Sequence, residues 1–213
     1  MTNTNCLVTT SKEASNKKTL TLVSELSKII PNSTVNPRDP HNVVVKVIEQ
    51  KGNPFSIQIS ANKNVSAEFC TNSIGDIINN SDVEENRSYV EFRIVEYRSM
   101  QQLNNKADPS SHLYPELVFN NFTTDLSSKI FEYISLVFPI VSTNLGNRVA
   151  SFVAKNDFIY FRLYRYVFES RDNVQFQDVG PHLTLRLRKV VDKDGVNILN
   201  YSKLVYEGNN IVL

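Results

Sequence analysis

DFIYFRLYRYVFESRDNVQFQDVGPHLTLRLRKVV, residues 157–191, is the stretch that decides the fold. It predicts two long strands joined by a polar connection. Side chains two apart in a strand share a face. Ile159, Phe161, Leu163 and Val167 therefore form one row, read as the core side. Tyr160, Arg162, Tyr164 and Tyr166 form the other, read as outward. In the second strand Leu183, Leu185 and Leu187 alternate with Thr184, Arg186 and Arg188, a half-buried pattern with a basic outer side. Gly180-Pro181 marks a bend just before it. Arg165 falls on the core side of this pattern, which calls for a buried carboxylate partner or a bulge.

Aromatic rings interleaved with arginines on an open sheet face suit RNA. Guanidinium groups neutralise phosphates, and rings stack on bases. The candidate surface is Tyr160, Arg162, Tyr164, Tyr166, Arg186, Arg188 and Lys189. An ordinary antiparallel sheet with a polar outer cover has the same pattern, so both readings stay open here.

Working outward, the rest of the chain repeats a theme. A short strand at Cys6–Thr9 leads through a polar turn into a helix at about 14–30, stopped by Pro31. Leu20, Val23, Leu26, Ile29 and Ile30 make its apolar stripe. Val43–Gln50 and Phe55–Ser60 follow as a hairpin, then a possible strand at Val65–Cys70 and a strand at Tyr89–Tyr97. Residues 73–86 are ambiguous between a short helix and an acidic loop. Residues 100–112 are polar, carry Pro109, and form the candidate linker. The second half opens the same way: a strand at Glu116–Phe119, the polar turn Asn120–Thr124, and a helix bearing Leu126, Ile130, Ile134 and Val137 up to Pro139. A strand at Arg148–Ala154 then precedes the deciding pair. The expectation is a mixed α/β (α+β) body of two similar strand–helix–strand halves, about 1–105 and 113–213, in one domain.

Each half also places a helix N-terminus after a polar turn, where unpaired N–H groups favour phosphate. Ser11 and Lys12 stand at one; Asn120, Asn121, Thr123 and Thr124 at the other. Plain N-capping uses the same residue types.

Composition narrows the function classes. The net charge of the 213 residues is only +1, so any basic site is local. Two cysteines, Cys6 and Cys70, support neither a disulfide framework nor a zinc site, and point to a reduced compartment. The opening lacks a signal-peptide pattern, and no stretch approaches a membrane span. His41, His112 and His182 have no spaced metal partners, and six glycines leave no phosphate-cradling loop. Asp157, Asp172 and Asp178 sit on strand ends and turns, where carboxylates are usually solvated. No catalytic site, cofactor or small-molecule substrate is expected.

Residues 157–168 and 179–189 (DFIYFRLYRYVF and VGPHLTLRLRK) resemble the C-terminal signature of the Brix domain family of ribosome-assembly factors. Residues 115–139 (PELVFNNFTTDLSSKIFEYISLVFP) are similar to its central segment, and residues 7–31 (LVTTSKEASNKKTLTLVSELSKIIP) to its opening. The resemblance implies two similar halves related to anticodon-binding domains of class II tRNA synthetases. It implies a non-enzymatic role in the nucleolus, holding pre-ribosomal RNA and a dedicated protein partner. Asn120–Thr124 and the Tyr-Arg-Tyr strand are most similar to members serving the large (60S) subunit. A small-subunit role, or a protein scaffold without RNA contact, is the alternative. His182 stands where the family usually has arginine, so a phosphate contact there would depend on pH. Leu163 and Tyr164 replace polar or histidine residues, and residues 76–112 have no clear counterpart.

Overall fold

The computed structural model describes residues 5–11, 15–61, 88–109, 114–140, 147–171, 173–192 and 197–200. Strand β1 (Cys6–Thr10) runs into helix α1 (Lys17–Ile29), which Asn16 caps by accepting from the Lys18 N–H at 3.1 Å. A two-residue strand β2 (Ser33–Thr34) precedes β3 (Val43–Gln50), β4 (Asn53–Ala61) and β5 (Ser88–Arg98). The second half comprises β6 (Glu116–Asn120), helix α2 (Asp125–Val137), β7 (Arg148–Lys155), β8 (Phe158–Phe168), β9 (Val174–Asp178), β10 (His182–Val191) and β11 (Asn197–Asn200).

The eleven strands of the described residues join one mixed sheet whose main path is β2-β1-β3-β4-β5-β10-β8-β7-β6. β1 lies parallel to β3 and β6 parallel to β7, because a helical crossover separates each pair. The other neighbours on the path inward are antiparallel. Counting inward from β1 and from β6 alike, the order is parallel, antiparallel, antiparallel, until β5 meets β10 at the centre; β2 adds one more parallel pairing outside β1. That central pair runs from His182↔Arg98 to Val191↔Tyr89.

Both helices cover the same side of the sheet. Leu26 of α1, Ile30 just past its end, and Ile134 and Val137 of α2 line, with Phe92, Phe152, Phe161 and Leu183, a cavity of about 50 Å³ between helices and strands. α1 crosses the seam between the halves. Its Ile29 Cδ1 would lie 3.3 Å from a β-carbon on Gly180, and its Glu25 accepts from the Tyr97 hydroxyl at 2.9 Å and the Met100 N–H at 2.8 Å.

Several expectations need correction. Leu20 is half exposed, and Leu22 and Thr19 face the core instead. The core stripe is therefore rotated by about one residue along α1. Val167 is exposed, because β8 outruns the helical cover after Leu163. The connection between the deciding strands is itself a strand: β9 pairs with β8 from Tyr164↔Asp178 to Phe168↔Val174. Residues 100–109 of the candidate linker are anchored. Leu103 is buried, the Ala107 N–H donates to the Asp178 carbonyl at 2.7 Å, and buried Arg148 donates to the Pro109 carbonyl. Lys12, His112 and the segments 65–70 and 73–86 lie outside the described residues.

Candidate nucleic-acid interface

The sheet face opposite the helices is set by alternation. Ile159, Phe161 and Leu163 are buried beneath the helices, which turns Tyr160, Arg162 and Tyr164 outward at intermediate exposure. Thr184 pairs with Tyr160 in register and shares that face, as does Arg186 two residues on. A bulge between Leu187 and Lys189 changes the phase of β10, so Arg188 and Lys189 are both half exposed before Val190 returns to the core.

The cations of this face differ in what they hold. Arg162 donates to the Phe161 and Leu183 carbonyls at 2.6 and 2.9 Å, and burial pulls its guanidinium below its ordinary pKa. It fastens β8 to β10. Burial raises the neighbouring Tyr164 hydroxyl, partly offset by the Arg162 charge. His182 sits 2.6 Å from the Asp178 carboxylate. Arg188 donates to Glu91 at 2.7 Å, and Glu91 in turn accepts from the buried Ser56 hydroxyl at 2.7 Å. Lys189 donates to the Tyr89 hydroxyl at 2.5 Å. Arg186 forms an ion pair with Asp157 at 3.9 Å. Arg165, on the opposite row, emerges past the core and donates to Gln177 at 3.1 Å. Among the described residues no carboxylate pairs with it.

Two further groups join this face. Arg93 of β5 is exposed and stands in register with Arg186. The guanidinium carbons of Arg93 and Arg188 lie over the Phe55 ring at 5.5 and 5.1 Å. The alternation of Tyr89, Glu91 and Arg93 against Val90 and Phe92 was the available signal for Arg93. At the other end Tyr166 meets Phe168, and Tyr164 meets Phe176, edge to face at 5.6 and 5.9 Å. Phe168 and Phe176 are 64% and 55% exposed, so the tyrosine row continues as an apolar hairpin tip.

The helix N-termini do not converge on this face. β1 and β6 are seven strand steps apart on the sheet path, roughly 30 Å at ordinary strand spacing. Ser11 is exposed and its hydroxyl accepts from the Glu49 N–H at 3.3 Å. At α2 the Thr124 hydroxyl accepts from the Ser127 N–H at 3.2 Å and the Ser127 hydroxyl accepts from the Thr124 N–H at 2.8 Å, a reciprocal cap. Asp125 adds a negative charge in that first turn. Asn121 takes φ 63° and donates to the Ala154 carbonyl at 3.1 Å. Asn120 and Thr123 are exposed. Among the described residues no His, Cys, Asp or Glu group could hold a metal, and no helix is long and apolar enough to cross a membrane.

Ribosome production factor 1 of Pongo abelii is 32% identical to this chain over 186 residues, which cover 86% of the chain and 50% of that protein. Ribosome production factor 1 of Saccharomyces cerevisiae is 30% identical over 99 residues, covering 46% of the chain and 33% of that protein. The chain thus spans half the length of the first relative. The crystal structure of a probable ribosomal biogenesis protein from Aeropyrum pernix K1 superposes with a TM-score of 0.50 at 16% identity, over 86% of this chain and 96% of that one. That likeness concerns the fold. The family profile described as the Brix domain matches residues 12–189, and the chain belongs to the Brix domain family.

Proposed function

We propose that this chain is a non-enzymatic ribosome-biogenesis factor that binds pre-ribosomal RNA through the helix-free face of its sheet. The observation that carries the RNA reading is the row Tyr160, Tyr164 and Tyr166 beside Arg186 and Lys189, outward and half exposed. Rings and cations on one open surface match stacking and phosphate neutralisation. The names of the relatives support the assignment to ribosome production. Within it we assign the chain to large-subunit precursors in the nucleolus, together with a dedicated protein partner.

The test is crosslinking of the tagged chain to RNA in isolated pre-ribosomes, with Arg186→Gln/Lys189→Gln as the comparison. Recovery of pre-rRNA crosslinked to β8 and β10, reduced in the variant, supports the reading. Sedimentation with small-subunit precursors would move the chain to the other pathway. A second reading rests on the exposed hairpin tip of Val167, Phe168, Val174 and Phe176. An apolar tip of this kind suits a protein surface. Loss of partner but not RNA in Phe168→Ser/Phe176→Ser would assign the tip to the partner. Crosslinks confined to the partner would make the chain a scaffold.

A further inference from the structure

Of the described arginines on the open face, Arg93 is the one set apart. Arg162 is committed to two backbone carbonyls, Arg188 to Glu91, and His182 to Asp178. Arg93 is exposed, and among the described residues no carboxylate pairs with it. Its contact is the Phe55 ring, 5.5 Å from the guanidinium carbon. Phe55 is itself held by Arg188 at 5.1 Å, and Arg188 is fixed by the partly buried Glu91. A planar guanidinium laid on a ring loses little freedom when a second flat group stacks on its other side.

The register adds a second observation. Arg93 stands directly opposite Arg186 across the central strand pair. Like charges directly opposite repel, and Asp157 lies 3.9 Å from Arg186. An anion between the two arginines removes the repulsion. A flat cationic platform next to an anion position matches one nucleotide with its base unstacked from its neighbours.

We propose that Arg93, supported by Phe55, is a stacking platform for an unpaired RNA base, and that Arg186 beside it takes the adjoining phosphate. The site therefore selects single-stranded over duplex RNA, whose bases present no free face. It rests on the RNA-binding reading above and extends that surface from β8 and β10 onto β5 and β4 of the first half.

The experiment measures binding of the full chain to a fluorescent 12-nucleotide single-stranded RNA and to a blunt duplex of the same length, across a salt series. Arg93→Lys keeps the charge and removes the plane. It is expected to weaken single-strand binding about tenfold, the scale of one lost stacking contact, with the duplex affinity and salt slope unchanged. Phe55→Leu should reproduce that pattern and Phe55→Tyr should restore binding, with circular dichroism confirming that each variant is folded. If Arg93→Lys alters neither RNA, or both equally, while Arg186→Gln/Lys189→Gln still weakens binding, the platform is wrong and the RNA reading stands. If the unmodified chain binds neither RNA but binds a polyglutamate peptide, both fall and the face recognises acidic protein.

Discussion

Gly180 and Leu163 approach so closely that a β-carbon on the glycine would lie 3.1 Å from the leucine β-carbon. Ile29 of α1 closes the same space at 3.3 Å, and the Val179 N–H donates to the Leu163 carbonyl at 2.9 Å. The bend between β9 and β10 therefore lets a helix of the first half seat against a strand of the second. Gly180→Ala should destabilise the chain by about 1–3 kcal/mol through overpacking. Urea unfolding followed by circular dichroism measures this. A midpoint equal to that of the unmodified chain would show that Ile29 yields freely.

Glu25 gives a pH prediction with a definite sign. Burial raises its pKa above the ordinary 4.5, with hydrogen bonds from Tyr97 and Met100 and the Lys28 charge opposing. A carboxyl whose folded pKa is raised binds its proton more tightly in the native state. Its contribution to stability is full below about pH 4.5 and is lost as pH rises from there through the folded pKa. Glu25→Gln should remove this part of the pH dependence just above pH 4.5, read from denaturation midpoints over that range. Glu25→Ala leaves the Tyr97 hydroxyl and the Met100 N–H without their acceptor and should cost about 1–3 kcal/mol.

Arg188→Ala separates two roles of one side chain. It strands Glu91, whose side chain is only 11% exposed, so stability should drop by about 1–3 kcal/mol. The companion Arg188→Ala/Glu91→Gln should recover much of the loss. A single variant as stable as the parent would mean that Ser56 alone satisfies Glu91.

Thr124→Ala removes the reciprocal cap of α2. About 1 kcal/mol of stability should go with it, lowering Tm by roughly 2–4 °C for a domain of this size. RNA affinity should stay level, because the hydroxyl already serves Ser127 and Asp125 opposes an anion in that turn. A clear loss of RNA binding at unchanged Tm would restore the helix terminus as a phosphate site.

We propose that residues 1–105 and 113–213 are halves of one cooperative domain. The nine registered residue pairs of β5 with β10, together with Ile29 against Gly180, cross between them. A fragment ending at Pro109 should show no cooperative thermal transition by circular dichroism. Independent melting of both fragments would make them two domains.

The sequence carried its strands where burial on one side forced alternation. Val43–Gln50 has its observed bounds because Val43, Val45 and Val47 are all driven inward. β9 was illegible for the converse reason: Val174 and Phe176 alternate, yet both remain exposed, so no burial marks them as a strand. Leu20 misled because apolar spacing fixes a stripe only to within a residue. Of the candidate surface, the outward direction of Tyr160, Arg162 and Tyr164 followed from their neighbours. The capture of Arg162 by two carbonyls did not, since backbone acceptors leave no trace in side-chain pattern. Arg93 and Phe55 come together across strands that the sequence could align only after the register was known.

The meeting of β5 with β10 also sets a timetable for synthesis. β5 ends at Arg98 and its partner ends at Val191, so 93 residues separate the two ends. At roughly 5–20 residues per second the ribosome needs about 5–20 s to make that interval. Throughout it, the edge of β5 that will receive β10 has no native partner to pair with, a bare strand flank of the kind that recruits other chains. A newborn copy of this protein is therefore most vulnerable in the middle of its own translation, and a holdase binding near residues 88–98 would protect it best.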